Sequence, residues 1–376
     1  MRRASPIPST DRLKPSDIKA KARRLLRWAW VLLLYSTGTL RWARRRLAAR
    51  GSVVVLTFHR VLKDHQYTRT KSPAGMLVRE ESFEQLVRYV SKHYHVVRLA
   101  DGPLAPEEEP RKLRVAFTFD DAWADNVSVA APIARKYGVP LTVFLCSDRL
   151  GLRFPFWPER VAALYAAAED SGCADRLDER LTVGVGATVS SPEPNGDGKP
   201  SLERKTEYLQ TLPPATREQL IRGPWKEFGA HPAVVESEAM DATMTWDDVH
   251  ELAGGGVVFG SHTQSHPVLT CISSSEAQRE LGESKKAIEE RLGQECTLFS
   301  YPHGDSSLEV RALVARAGYR FAFLNSAGAW TCGSDPLLIP RINVWEGMLV
   351  GPAGRFSRVA FEYAAVWRAY RASRRT

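Results

Sequence analysis

From residue 51 onward, short runs of β-branched and aromatic residues alternate with longer stretches whose apolar positions recur every three to four residues. Residues 52–59, SVVVLTFH, form the first run and end on His59. Residues 82–93 then place Phe83, Leu86, Val87 and Val90 on one helical face behind Ser82 as N-cap. After a polar connection at 61–80 and this helix come strands at 94–99 and 113–121, separated by an acidic, proline-rich loop at 102–110. A helix at 126–137 ends at Gly138, and Pro140 blocks its continuation before the strand at 141–146. Near-continuously apolar strands alternating with amphipathic helices predict a parallel sheet covered by helices.

Residues 151–244 interrupt that alternation. Helical patterns at 157–169 and 216–228 flank a stretch at 182–201 rich in Gly, Ser and Pro with no clean period, and the region reads as an inserted lid or subdomain. The alternation resumes with a helix at 246–253, a strand at 257–260, a long amphipathic helix at 274–292, a strand at 298–301, a helix at 308–317 and strands at 319–324 and 337–344. A basic amphipathic helix at 356–371 closes the chain, and no internal repeat has a fixed period.

Two strand ends carry chemistry. LRVAFTFDD, residues 113–121, runs through alternating core positions and stops on Asp120 and Asp121, two anions that repel each other and do not belong in a core. Alone, the pair is equally an ordinary surface turn. VVFGSHTQSH, residues 257–266, is a second short strand, and it ends in two histidines spaced His-x-x-x-His. Together the two ends imply a mononuclear metal site built from one carboxylate and two imidazoles, with a coordination position left for water.

The composition, 44% hydrophobic and 25% charged over 376 residues, is that of an ordinary globular protein. The net charge of +9 is unevenly spread: residues 1–50 hold 14 Lys and Arg against 2 Asp, so the body is slightly acidic. That excludes a nucleic-acid-binding body, which would need a basic patch of its own. Residues 1–20 are polar and proline-containing and read as disordered. Residues 21–50 read as a helix whose apolar centre, 28–35, is far shorter than the ~20 residues of a spanning helix and is bracketed by arginines. The expectation is a helix lying on an anionic membrane surface. This places the protein in the cytoplasm or peripherally on the cytoplasmic membrane face, with secretion left open because a basic region precedes an apolar one. The five cysteines are scattered without C-x-x-C pairing, so neither a disulfide framework nor a cysteine zinc site is expected.

Three motifs, in order and on successive strand ends, carry a resemblance. TFDD (118–121), GSHTQSH (260–266) and FSYPHGD (299–305) resemble the three motifs of the polysaccharide deacetylases, the NodB-homology or carbohydrate esterase family four domain. The linking segment APIARKYGVPLTVF (131–144) is similar as well, and the resemblance covers about residues 51–345 apart from the insertion. It implies an α/β fold: a distorted (β/α) barrel with an inserted lid or subdomain at 151–244, between a basic arm (1–50) and a basic C-terminal helix (351–376). It also implies a divalent metal, usually zinc, and removal of N-acetyl groups from a glycan or glycolipid sugar. The sugar itself is left open.

The resemblance further implies Asp121, His262 and His266 as metal ligands, Asp120 as general base, and the backbone N–H of His303 as an oxyanion donor. The chain departs from the family pattern in four places. Ala122 replaces the usual glycine after the double Asp. Ser300 stands where an arginine commonly pairs with the base, a role that Arg341 would take from the last strand. His303 replaces a tyrosine. The late histidine that serves as general acid has no match near 337–344, leaving His59 and His303 as substitutes. Trp123 and Tyr301 are the candidates for binding the sugar. The missing acid also leaves a second reading, a carbohydrate-binding protein with little or no turnover. A third is hydrolysis of another amide or an O-acetyl ester.

Overall fold

The computed structural model describes residues 15–99, 112–153, 156–182 and 202–374. The readings of 1–14, of the loop at 102–110 and of most of 182–201 lie outside these residues.

The core is one curled parallel sheet of eight strands: β1 (Val53–Phe58), β4 (His95–Val96), β5 (Arg114–Phe119), β6 (Leu141–Leu145), β7 (Val258–Ser261), β8 (Leu298–Ser300), β9 (Phe321–Phe323) and β10 (Ile342–Asn343). The strand order is β10-β1-β5-β6-β7-β8-β9, with β4 beside the first residues of β5. All pairings are parallel. The curl is drawn together by residues 339–343, because Ile339 bridges Phe323 of β9 while Ile342 and Asn343 pair with Leu56 and Thr57 of β1.

The period of two along each strand divides the apolar residues into two sets. Val53, Val55, Ala116, Phe144, Leu298 and Phe323 pack with Trp330 and Ile339 inside the curl. Val54, Leu56, Phe58, Val115, Phe117, Phe119, Val143 and Phe299 face outward, into the larger core beneath the helices. On that outer face Phe58 stacks on Phe117 and Phe119, with centroids 5.7 and 5.3 Å apart, and Phe83 of the helix Glu80–His93 meets Phe58 edge-on at 5.4 Å. The helix forms there because Phe83, Leu86, Val87 and Val90 make one apolar stripe. Gly260 marks a tight approach inside: a Cβ would stand 2.7 Å from the Phe144 ring and 2.9 Å from the Leu298 carbonyl. Gly260→Ala is expected to destabilise the fold by about 1–3 kcal/mol, read as a lowered denaturant midpoint.

Several elements differ from the sequence expectation. The connection at 61–80 holds a separate two-stranded parallel sheet, β2 (Arg60–Leu62) with β3 (Leu77–Arg79). The last strand is only Ile342–Asn343 rather than 337–344, because Pro340 lacks an N–H and Arg341 turns its side chain to the mouth. The strand expected at 94–99 shrinks to His95–Val96. The N-terminal arm is two helices, Pro15–Ser36 and Thr39–Ala49, broken where Gly38 takes φ 74°, and its first helix begins inside the stretch read as disordered. The insertion is helical: Trp157–Asp170, Ala174–Thr182, Leu202–Gln210, Pro214–Phe228 and Pro232–Met240. Val161, Leu164, Leu177, Leu181, Leu209 and Ile221 give it a small core of its own.

Candidate metal centre

In a parallel sheet every strand delivers its last residues to the same rim. Continuing the interior set of β5 past Ala116 and Thr118 brings Asp120 into the mouth, and continuing that of β7 past Gly260 brings His262. Asp121 falls on the opposite parity. It reaches the same mouth because it takes φ 73° and Ala122 φ 56°, left-handed backbone that turns the chain over. A glycine would adopt the Ala122 conformation without strain.

The Asp121 Oδ1 atom lies 3.6 Å from His262 Nε2 and 3.5 Å from His266 Nε2. The three donor atoms all fall within 4.8 Å of one another. Donors sharing one tetrahedral ion at ~2 Å are about 3.3 Å apart, so the first two separations fit a common cation. Chemistry fits too. Asp121 Oδ1 is buried with no hydrogen-bond partner. The Ser300 carbonyl accepts from His262 Nδ1 at 2.7 Å, which fixes the tautomer and leaves the Nε2 lone pair free. Burial pushes the Asp121 carboxyl up to about 7, with the charge of Asp120 adding to it. Burial also takes His262 down to about 4 and His266 well below its usual value, so both rings are neutral at neutral pH and could serve a cation as ligands.

The turn bearing His266 is held from behind by Glu280, a buried residue of the helix Ser274–Leu292. Its carboxylate accepts from the backbone N–H groups of Gln264 and Ser265 at 2.9 and 2.8 Å and from the Ser265 hydroxyl at 2.6 Å. Thr263 and His266 take φ 67° and 64° in this turn, and the His266 N–H donates to Thr263 Oγ1 at 3.0 Å.

Asp120 has a different partner. Arg341 grips it with two bonds, Nη1 to Oδ1 at 2.8 Å and Nη2 to Oδ2 at 2.7 Å, and Nη2 also donates to Ser300 Oγ at 2.9 Å. Arg341 itself is 1% exposed and is anchored by its Nε on the Leu324 carbonyl at 2.9 Å. Burial alone would raise the Asp120 carboxyl, but the guanidinium, with His262 nearby, outweighs it and holds the group well below the usual carboxylate range. The two neighbouring aspartates are thus driven apart: Asp120 stays ionised, while Asp121 awaits a cation.

His59 and His303 face the same cavity, a space of about 730 Å³ whose far wall is the insertion, through Trp157, Glu159, Arg160 and Arg217. His59 Nδ1 is buried without a partner, and burial lowers its pKa. His303 sits at the rim with φ 59°, and Gln210 of the insertion donates its amide N–H to Nδ1 at 3.2 Å.

The sugar-binding expectation for Trp123 needs correction, while Tyr301 lines the cavity. Trp123 is fully buried and offers no face to a ligand. Its indole N–H instead donates to Asp121 Oδ2 at 3.3 Å, and the guanidinium of Arg60 lies 4.3 Å above its ring. Tyr301 is 1% exposed, and its hydroxyl donates to the Leu337 carbonyl at 3.0 Å. Both rings pack the floor, the commoner fate of large aromatic side chains. Arg60 is itself buried and pairs with Asp125 at 3.0 Å and with Asp241 at the end of the insertion. No spacing rule marks Arg60, Trp123 or Glu280, since each acts through tertiary contact. Glu159, also from the insertion, is pushed up to about 8 by burial and by Asp241. Trp123→Phe removes the indole donor and is expected to weaken Zn2+ affinity about 10–100-fold, measured by competition with a chromogenic chelator.

The family model described as polysaccharide deacetylase matches residues 227–322, which span both histidines, Ser300 and His303. The matched stretch, about a quarter of the chain, is similar to that family. Among curated relatives, the putative polysaccharide deacetylase YxkH of Bacillus subtilis is 28% identical over 105 residues, 28% of this chain and 38% of its own length. Chitin deacetylase 1 of Cryptococcus neoformans is 42% identical over 57 residues, 15% of this chain and 12% of its own. The matched stretch thus spans well under half of either relative. Among solved structures, the Streptococcus pyogenes deacetylase PplD in complex with acetate is 16% identical, with a TM-score of 0.49, covering 79% of this chain and 94% of that one. IcaB from Ammonifex degensii is 17% identical, also with a TM-score of 0.49, covering 85% and 97%.

Proposed function

We propose that this chain is a metal-dependent hydrolase that removes N-acetyl groups from a glycan or glycolipid sugar, with Zn2+ as the preferred ion. The observation that carries this is the pairing of two unlike carboxylates: Asp121, unpartnered beside two neutral imidazole nitrogens, and Asp120, kept ionised by Arg341. Asp121, His262 and His266 would hold the ion, which when bound acidifies a water and polarises the acetyl carbonyl.

The remaining roles belong to the protein. Asp120 accepts the proton of the attacking water, and Arg341 keeps it in the ionised form that can do so. The departing amine needs a proton, and the one Asp120 has gained can be returned directly or through His59, which lines the cavity. The backbone N–H of His303 is the candidate donor to the developing oxyanion. The insertion wall limits the depth to which a saccharide enters. Arg341 also weakens the alternative of an inert carbohydrate binder, because it restores the cation that Ser300 lacks.

Acetate release from N-acetylated oligosaccharides, with and without a chelator, tests the reading. Release that is lost on chelation and restored by Zn2+ is the expected result. Metal-bound protein that releases no acetate from any N-acetylated glycan would favour the binder, and release confined to O-acetyl esters would move the activity to that bond.

A further inference from the structure

A cluster of exposed apolar residues lies where the two ends of the chain meet. Of the eleven large hydrophobic residues exposed among the described residues, six fall between residues 26 and 42: Leu26, Trp30, Leu32, Leu33, Tyr35 and Trp42. Leu26, Trp30 and Leu33 recur at i, i+4 and i+7 along one face of the helix Pro15–Ser36. On its other face Val31 and Leu34 are buried, so the helix is seated on the body and still presents an unpartnered stripe. The next helix, Thr39–Ala49, buries Leu40, Ala43 and Leu47 in the same way.

The C-terminal helical stretch completes this surface. Trp42 meets Tyr370 edge-on at 5.1 Å, Tyr370 stacks on Trp367 at 5.8 Å, and Arg44 pairs with Glu362 at 2.8 Å. Guanidinium groups line the rings: Arg46 lies 5.6 Å from Trp42 and Arg358 5.7 Å from Tyr35. Neither terminal stretch carries an acidic residue, from 26 to 50 or from 363 to the end, while between them they hold ten arginines. Glu362, the nearest carboxylate, is already bonded by Arg44, Tyr89 and Tyr94. No helix among the described residues is long and apolar enough to cross a membrane.

From this juxtaposition we infer that the paired terminal helices form a docking face for an anionic lipid bilayer. Leu26, Trp30 and Leu33 enter the acyl boundary, and arginines of both termini contact the headgroups. Apolar and aromatic residues interleaved with arginine, with no carboxylate from 26 to 50 or after 362, match a layer that is apolar beneath and anionic above. A second copy of the chain is disfavoured as occupant, because it would set arginines against arginines. The inference stands apart from the hydrolase reading and holds whether or not the site turns over.

The test is sedimentation of the full chain with vesicles of phosphatidylcholine alone and with a third of the lipid replaced by phosphatidylglycerol. Binding at least ~10-fold tighter to the anionic vesicles is expected, weakening at high salt. Trp30→Glu with Leu33→Glu, and separately Arg368→Glu with Arg371→Glu, should each lower it at least ~10-fold, while metal content and near-ultraviolet circular dichroism stay those of the wild type. Equal or absent binding to the two vesicle types overturns the inference. So does light scattering that shows a dimer dissociated by the same substitutions, or anionic binding that survives both variants.

Discussion

Substituting Asp121 by alanine is expected to lower Zn2+ affinity by roughly three orders of magnitude, since it removes the one charged ligand of three. Equilibrium competition with a chelator reads this directly, and unchanged metal content in the variant would remove Asp121 from the ligand set. The same residue gives a pH signature to the metal-free protein. Its folded pKa, about 7, lies above the ordinary carboxylate value because of burial and Asp120. The folded state therefore holds this proton more tightly than the unfolded chain. Its contribution to stability is complete at low pH and falls as pH rises from about 4 to about 7, by up to about 4 kcal/mol. Chelated wild type should show that decline in urea unfolding, and Asp121→Asn should not. For the same reason apparent Zn2+ affinity should rise about tenfold per pH unit up to about 7 and then level off, because proton and metal compete for one oxygen.

Arg341→Met should be the more damaging change to turnover. Asp120 would remain buried without its cation, and breaking such a pair costs about 3–5 kcal/mol. In the wild type its lowered pKa stabilises the fold at all pH values above the ordinary carboxylate range, and that contribution is lost only as pH falls through the lowered value. Without Arg341, burial dominates and the carboxyl rises. The acidic limb of the kcat/KM profile then moves to higher pH, and kcat falls about 10²–10⁴-fold. Adding Asp120→Asn to Arg341→Met should recover part of the stability and none of the activity. Full recovery of turnover in the double variant would show that Asp120 is not the base.

Much of the fold was legible because strand periodicity and strand ends are local properties. The parity that puts Ala116 and Thr118 inside also puts Asp120 there, and Gly260 leads to His262 in the same way. The proposed ligand role of Asp121 needed the family resemblance, because its parity points outward and only the left-handed turn at 121–122 brings it back. Arg341 was identifiable from its place on the last segment, although that segment forms only two strand residues. Trp123 was misjudged, since an aromatic side chain beside a catalytic pair reads as a platform until its burial and its donor bond to Asp121 are seen. The small sheet of β2 and β3 escaped detection because three-residue strands leave no period to read.

The exit of the insertion has a practical consequence. Residues 242–244 hydrogen-bond to the loop just past the two aspartates, Ala124 N–H to the Ala242 carbonyl at 2.9 Å and Met244 N–H to the Ala122 carbonyl at 2.9 Å, while Asp241 holds Arg60. Splicing the chain from 150 directly to 245 would therefore unpick the seam that shapes the metal loop. Chimeras that exchange only the outer helices, 157–240, and keep the hem at 241–244 would spare it. Such grafts would test whether the outer helices decide which saccharides reach the proposed centre.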